Sequence, residues 1–266
     1  MSWDQLLEPG VVVRDSPVET ERFGYSFARV TIGPGPIDAD GLLAVIQDLT
    51  ADVLVVRYDA ARLDLACILA RSRRVMVPAG ALLYWDKPVS VAEPPLSSVS
   101  SNLQVHSADA LDLETVSALV QDIVRASFRD YGNHYTANPL IDPSAALAGY
   151  EDWAVRSLNA NPGNVLVMKD GGEPIGMAIV ESAADGGHLE IVLAGIFPAA
   201  QGKRLYDAIL DGCERVAVTR GAHRVVTSTQ VHNVRGQRAW ARHGLRPFAA
   251  IETVHLIDRD LLQALG

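Results

Sequence analysis

The sequence predicts an α/β chain in two parts, a smaller N-terminal α/β domain and a larger C-terminal one. Short apolar runs rich in Val and Ile alternate with stretches whose apolar residues recur at helical spacing. A Pro- and Ser-rich stretch without periodicity, Pro88 to Ser101, separates the parts, so the domains are expected at 1–95 and 96–266. The C-terminal part is organised around a strand, Leu189 to Phe197. It turns through Ala199 to Lys203 into an amphipathic helix with Leu205, Ala208, Ile209, Gly212 and Cys213 on one face.

In the N-terminal part, Val11 to Arg14 and Phe23 to Ile32 read as strands, the second closed by Gly33-Pro34-Gly35-Pro36. Asp38 or Asp40 can cap a helix with Leu42, Leu43, Ile46 and Leu49 on one face. Val53 to Tyr58 is almost continuously apolar, as in a strand buried on both faces. A helix is expected from Ala60 to Arg71, with Leu63, Ala66, Cys67 and Ala70 inward. Arg74 to Val77 and Ala81 to Trp85 read as two closing strands. This part holds no recognisable acid–base pair or phosphate turn. It reads as a packing or dimerisation unit, or as one that closes over a substrate.

In the C-terminal part, Leu103 to His106 is a short strand and Asp109 to Ala126 a helix with Leu111, Val116, Leu119, Val120 and Ile123 inward. The polar, aromatic run Phe128 to Pro139 reads as a loop, and such loops carry specificity. Within it His134, Tyr135 and Asn138 offer donors and acceptors for sugar hydroxyls or an amine. A helix from Ala145 to Leu158 follows. Gly163 to Lys169 and Pro174 to Glu181 form a hairpin around Asp170-Gly171-Gly172. Arg224 to Gln230 is a strand, His232-Asn233 opens a helix ending at His243-Gly244, and Ala250 to Ile257 is the last strand.

The formal net charge of −9 over 266 residues argues against a nucleic-acid partner, which requires a basic face. Cys67 and Cys213 lie far apart in apolar helical patterns and read as buried free thiols, fitting a reducing cytoplasm. No signal peptide opens the sequence, and no apolar run approaches the ~20 residues of a membrane helix. A cytoplasmic protein with no membrane partner is expected.

The turn after Phe197 carries the first chemistry. A helix that follows a strand presents unpaired N–H groups and the positive end of its dipole, a site for an anion. Gly202 lets backbone approach that anion, and Lys203 and Arg204 add charge. Arg235 and Arg238 are further candidate cations.

The run Ile196-Phe197-Pro198-Ala199-Ala200-Gln201-Gly202-Lys203-Arg204-Leu205-Tyr206 resembles motif A of the GNAT acetyltransferases. That motif is a strand ending V-x-P and then Q/R-x-x-G-x-G/A opening a helix. Asn233, Trp240 and Gly244-Leu245 resemble motif B, at the family's spacing. The resemblance covers about residues 102 to 257 and implies a C-terminal GNAT fold, a central mixed sheet flanked by helices. STQVHNVRGQRAWARHGLRP is similar to the branch that acetylates nucleotide-linked amino sugars, of the TDP-fucosamine type. Arg204 and Tyr206 replace both motif A glycines, and Trp240 replaces the motif B tyrosine. An indole has no proton to give at neutral pH.

The resemblance implies acetyl-CoA as co-substrate. The Ile196 N–H would polarise the acetyl oxygen, the amides from Gly202 through Lys203, Arg204 and Leu205 to Tyr206 would take the pyrophosphate beside Gln201, Asn233 would hydrogen-bond near the pantetheine, and Trp240 would pack beside the thioester. Glu190 matches the base of the histone-acetyltransferase branch in its E-I-V-x-x-x-I spacing. A carboxylate on a half-buried strand suits a base near neutral pH. His188 is the second candidate and His134 the third. Tyr206 or Tyr135 could act as acid, though a thiol can also leave unaided. No metal is required.

The expected activity is transfer of acetyl from acetyl-CoA to a primary amine of a small polar acceptor, a nucleotide-linked amino sugar, by direct attack in a ternary complex. The alternatives are an aminoglycoside or other secondary-metabolite amine as acceptor, or a GNAT-like module that binds acyl-CoA and catalyses little. A homodimer through the N-terminal part is left open.

Overall fold

A computed structural model of the protein describes residues 2–90 and 102–264. In chain order the elements are α1 (Trp3–Leu6), β1 (Val11–Asp15), α2 (Pro17–Phe23), β2 (Phe27–Ile32), α3 (Ala39–Asp48), β3 (Val53–Asp59), α4 (Leu63–Leu69) and β4 (Val75–Pro88). They continue with β5 (Leu103–Ser107), α5 (Leu113–Phe128), α6 (Pro143–Ala160), β6 (Val165–Asp170), β7 (Glu173–Ser182), β8 (Leu189–Ile196), α7 (Tyr206–Thr219), β9 (Arg224–Gln230), α8 (Val234–Arg242), β10 (Arg246–Ile257) and α9 (Arg259–Gln263). Contacts divide the chain into two compact units, one of Met1–Leu83, Gly132–Ala146 and Ala249–Gly266, the other of Tyr84–Tyr131 and Leu147–Phe248. These units are discontinuous in sequence, whereas the division expected at 95/96 is continuous. Residues 132–146 and 249–266, expected in the second domain, pack with residues 1–83. Most of the expected linker, residues 91–101, lies outside the described residues.

In the first unit β1 pairs antiparallel with β2, β2 parallel with β3, and β3 antiparallel with β10. Strand β3 is buried on both faces, as its apolar run predicts. Leu54, Val56 and Tyr58 pack with Leu42 and Ile46 of α3 and Leu65 and Leu69 of α4. Val53 and Val55 pack on the other face with Phe27, Ile141 and Ala146. Each such side chain removed from water contributes roughly 1.5–3 kcal/mol. Asp38 caps α3, its carboxylate accepting from the Asp40 and Gly41 N–H groups.

Three expectations for this unit are corrected. The strand expected from Phe23 begins only at Phe27. A helix precedes it, with Pro17 in its first turn and Gly24 closing it at φ 74°. The two strands expected at 74–77 and 81–85 are one strand, β4, which passes through Gly80 at φ 86°. Helix α4 is shorter than expected, and Leu65 and Leu69 face inward. Leu63 is exposed, and Cys67 is an exposed free thiol rather than a buried one.

In the second unit the strand order is β9-β8-β7-β6-β5, antiparallel except for β8 and β9. Helices α5 and α6 cover one face, with Val116, Val120, Ile123, Val124, Ala154 and Leu158 against Val165, Val167, Met177, Ile179 and Leu193. Asp112 caps α5, so the expected helix start at Asp109 is instead a short 3-10 turn, Ala108–Ala110. Helix α7 packs against strands β5 to β9. Cys213 on α7 is buried, and burial raises its thiol pKa. No helix among the described residues is long and apolar enough to cross a membrane.

Candidate functional site

Strands β8 and β9 run parallel and pair only at Leu189–Val225, Glu190–Val226 and Ile191–Thr227. Both continue, to Ile196 and Gln230, and along that length they part. A bulge sits at the branch. Ile179 of β7 faces Leu193 and Val180 faces Ile191, which leaves Val192 as the extra residue. Beyond it the β7–β8 ladder is regular, and the Phe197 N–H donates to Ile175 O at 2.9 Å. Antiparallel alternation therefore turns the N–H groups of Ile196 and Ala194 away from β7, toward the gap.

The C-terminal turn of α5 reaches both lips of the gap. Ser127 Oγ donates to Ile196 O at 3.0 Å on the β8 side. Tyr131 Oη accepts from the Gln230 N–H at 3.1 Å and lies 2.9 Å from Thr229 Oγ1 on the β9 side. Gly195 permits this approach, because a Cβ there would lie 3.1 Å from Ser127 Oγ.

The turn below the gap joins β8 to α7. Gln201 Nε2 donates to Ile196 O at 3.1 Å, and Arg235 Nη1 donates to Gln201 Oε1 at 2.7 Å. Gly202 stands at φ 82°, and Lys203 and Arg204 are exposed. Helix α7 starts at Tyr206 with no side chain capping it at Leu205. Arg204 has φ 60° and is the one non-glycine residue with positive φ among the described residues. It stands where the motif has glycine and keeps the glycine backbone, at a cost of about 1 kcal/mol for an L side chain. Arg204→Gly is expected to raise the thermal midpoint by the equivalent of about that amount, checked by calorimetry.

The remaining residues expected at the cofactor have internal partners. Asn233 caps α8, with Oδ1 accepting from Gly236 N at 3.1 Å and Nδ2 donating to Thr229 Oγ1 at 2.8 Å. Trp240 is buried edge-on to Trp85, ring centroids 6.2 Å apart. Tyr206 is half-buried, and burial of its hydroxyl raises its pKa beyond the usual phenol range. Glu190 is buried in β8 opposite Glu181. His188 is buried just before β8, beyond Glu190. Six residue steps along the strand lead from Glu190 to Ile196, about 20 Å. Glu190 as base and the Ile196 N–H as carbonyl polariser therefore cannot serve the same reacting carbon. The Ala194 N–H points the same way, about 13 Å from Glu190 along the strand.

Residues 120–245 match the model of the acetyltransferase (GNAT) family. That stretch is similar to the family over just under half of the chain. Structures of similar fold include a GCN5-related N-acetyltransferase from Sphaerobacter thermophilus, with 14% identity, 93% of this chain and 76% of that chain covered, and a TM-score of 0.62. Another, from Kribbella flavida, has 15% identity, 90% and 84% coverage and a TM-score of 0.56. A third is the glucosamine N-acetyltransferase region of a fungal multidomain GH3 β-N-acetylglucosaminidase, with 10% identity, 92% and 31% coverage and a TM-score of 0.58. No curated protein is a match.

The second unit also holds a buried charged cluster. Glu214 takes Lys87 Nζ at 2.7 Å and His243 Nε2 at 2.9 Å, and Asp211 Oδ1 lies 3.5 Å from His243. Asp211, Glu214 and His243 offer ligand atoms within 4.8 Å of one another. The Lys87 ammonium already supplies a cation there, so the cluster reads as an ion-pair clasp on α7. Burial pushes the Glu214 carboxyl up, but the hydrogen bonds and charges of His243 and Lys87 outweigh it and hold it low.

The three residues expected to bind acceptor lie in the first unit, in a short 3-10 turn, His134–Ala137, and at Asn138 after it. They are built into its interior rather than into a solvated loop. Tyr135 Oη donates to Glu19, which also pairs with Arg29 Nε at 2.7 Å and accepts from Ser16. His134 Nδ1 lies 2.9 Å from His255 Nε2, and Asn138 Nδ2 lies 3.1 Å from His255 Nδ1. The sequence does not single out Ser127, Tyr131 and Thr229 of the second unit. Tyr131 stood in the singled-out aromatic run, but its partners come from β9, far along the chain.

Proposed function

We propose that this chain is a cytoplasmic N-acetyltransferase that moves acetyl from acetyl-CoA to a primary amine of a small polar acceptor. We read the acceptor as a nucleotide-linked amino sugar of the TDP-fucosamine type. The observation that carries the reading is the gap between β8 and β9, which runs down to the uncapped start of α7. A pantetheine arm can lie in such a gap as an extra strand, with its amides against the Ile196 backbone. The pyrophosphate then meets the Gly202–Tyr206 turn, where a helix dipole and two exposed cations favour anions.

In this arrangement the Ala194 N–H donates to the thioester oxygen, and the charge that develops there is worth about 3 kcal/mol of stabilisation to a positioned donor. Glu190 takes the amine proton through water. The amine attacks the carbonyl carbon, the C–S bond breaks and free CoA leaves. Direct attack fits the thiols, because burial keeps Cys213 protonated and no base partners Cys67 in any described hydrogen bond. Metal takes no part. The acceptor is a small molecule rather than a nucleic acid, as the net charge of −9 suits. The fungal glucosamine N-acetyltransferase region shares the fold and favours an amino sugar over an aminoglycoside. We leave a homodimer as part of the reading.

Isothermal titration with acetyl-CoA tests the proposal. Binding with micromolar Kd, followed by CoA thiol release with members of a nucleotide-amino-sugar panel, is expected. Binding without release from any amine would favour an acyl-CoA-binding module, and no binding at millimolar acetyl-CoA would remove both.

A further inference from the structure

Trp240, which stands where motif B has tyrosine, is buried, and an indole has no proton to give at neutral pH. We propose that Tyr131 is the proton donor to the leaving sulfur of CoA, an inference that rests on the acetyl transfer proposed above. The hydrogen bonds around its hydroxyl fix which way the phenol proton points. Asn233 Oδ1 accepts from Gly236 N–H, which fixes the amide so that Nδ2 is the donor to Thr229 Oγ1. Thr229 is buried, and among the described residues its hydroxyl proton has Tyr131 Oη as its one acceptor, at 2.9 Å. If Tyr131 donated instead, a buried hydroxyl proton would be left without an acceptor, the costly arrangement. Thr229 therefore donates to Tyr131. The phenol oxygen also accepts from Gln230 N–H at 3.1 Å. With both acceptor positions filled, the phenol O–H has no acceptor among the described residues and points outward as a donor.

The location suits the role. Gln230 and Thr229 lie beyond the last β8–β9 pair, so Tyr131 stands on the β9 lip of the gap. The Ala194 N–H stands on the β8 lip, where the thioester oxygen is placed. The thioester sulfur, bonded to the same carbon, then lies between them. The ring is held by Phe128 at 5.2 Å and Tyr150 at 6.4 Å between centroids. The step balances. The amine nitrogen bonds to the carbonyl carbon, and the C–S bond breaks with its electron pair on sulfur. The Tyr131 proton passes to that sulfur to give the CoA thiol. The phenolate recovers a proton from water while Glu190 releases the one taken from the amine.

Free CoA tests this without an acceptor. A donor at the sulfur stabilises bound thiolate, which absorbs near the far-ultraviolet edge and can be titrated with pH. In the wild-type complex the thiolate is expected to form about one pH unit lower, a tenfold effect, than in the complex of Tyr131→Phe. Acetyl-CoA Kd is expected to agree within about twofold between them. Substituting 3-fluorotyrosine for Tyr131 keeps every packing contact, makes the phenol more acidic and is expected to lower the thiolate transition further. Equal thiolate transitions in proteins that both bind acetyl-CoA would overturn the proposal, as would a fluorotyrosine protein indistinguishable from wild type. Failure of the wild type to bind CoA is a separate readout that removes the acetyl-transfer reading itself.

Discussion

Glu190→Gln is expected to lower kcat for acetylation by about 10²–10⁴-fold while leaving the acetyl-CoA Kd within about twofold. Glutamine keeps the size and hydrogen bonding of the side chain, so the buried start of β8 retains its packing beside Glu181 and Val226. It cannot take the proton from the incoming ammonium to free the amine for attack. The loss should shrink as pH rises, because a growing fraction of the amine arrives neutral and needs no base. The measurement is initial rate against pH with the amine found in the acceptor panel, alongside a calorimetric Kd. A kcat within threefold of wild type would remove Glu190 as base. An equal loss of binding and rate would assign it to the packing of β8.

The placing of that carboxylate shows how far the sequence reached. The strand–turn–helix from Leu189 onward was legible because each element follows a local rule: an apolar run, a proline stop, glycine at positive φ, then helical periodicity. Strand Arg224–Gln230 and the Asp170–Gly172 hairpin were legible for the same reason. The register of α4 was not. Leu63 and Leu65 are both leucines on a short helix, and α3 and β3 decide which is buried. The gap itself was also invisible, because it is a lost pairing after Ile191 and Thr227, residues of ordinary strand type. The spacing E-I-V-x-x-x-I suggested a base and a carbonyl polariser together. Only the strand's length shows that a base at Glu190 needs the nearer Ala194 amide. Ser127 and Tyr131 gain meaning from contacts 69 to 99 residues away along the chain, which no local pattern encodes. His134, Tyr135 and Asn138 looked like a recognition loop because polar and aromatic residues in a run usually are one. His255, Glu19 and Arg29, distant in sequence, turn the same residues into interior structure.

That interior predicts a steep loss of stability in mild acid. Burial, with the Arg57 charge, pushes the His255 pKa down from 6.5 to about 4, against a smaller upward pull from Glu19. Burial pushes His134 well below its usual value as well, helped by Arg57, His255 and Arg29. The folded state thus holds both imidazoles neutral at a pH where the unfolded chain would protonate them. Stability is full above the unfolded pKa of 6.5, and falls as pH drops through the window down to about 4, where unfolding takes up protons. For His255 alone the loss is about 3 kcal/mol. Glu19 acts lower. Burial would raise its pKa, but Arg29 and the hydrogen bonds from Ser16 and Tyr135 hold it below 4.5, so its contribution is lost only in stronger acid. Urea midpoints measured between pH 7 and pH 4 should therefore decline before the carboxylates titrate. His255→Gln keeps a donor and an acceptor for His134 and Asn138 but cannot titrate, and should flatten the decline by about half. A wild-type midpoint constant from pH 7 to pH 4.5 would mean that the imidazole pair is already charged in the folded protein, and the neutral relay through His134, His255 and Asn138 would be wrong.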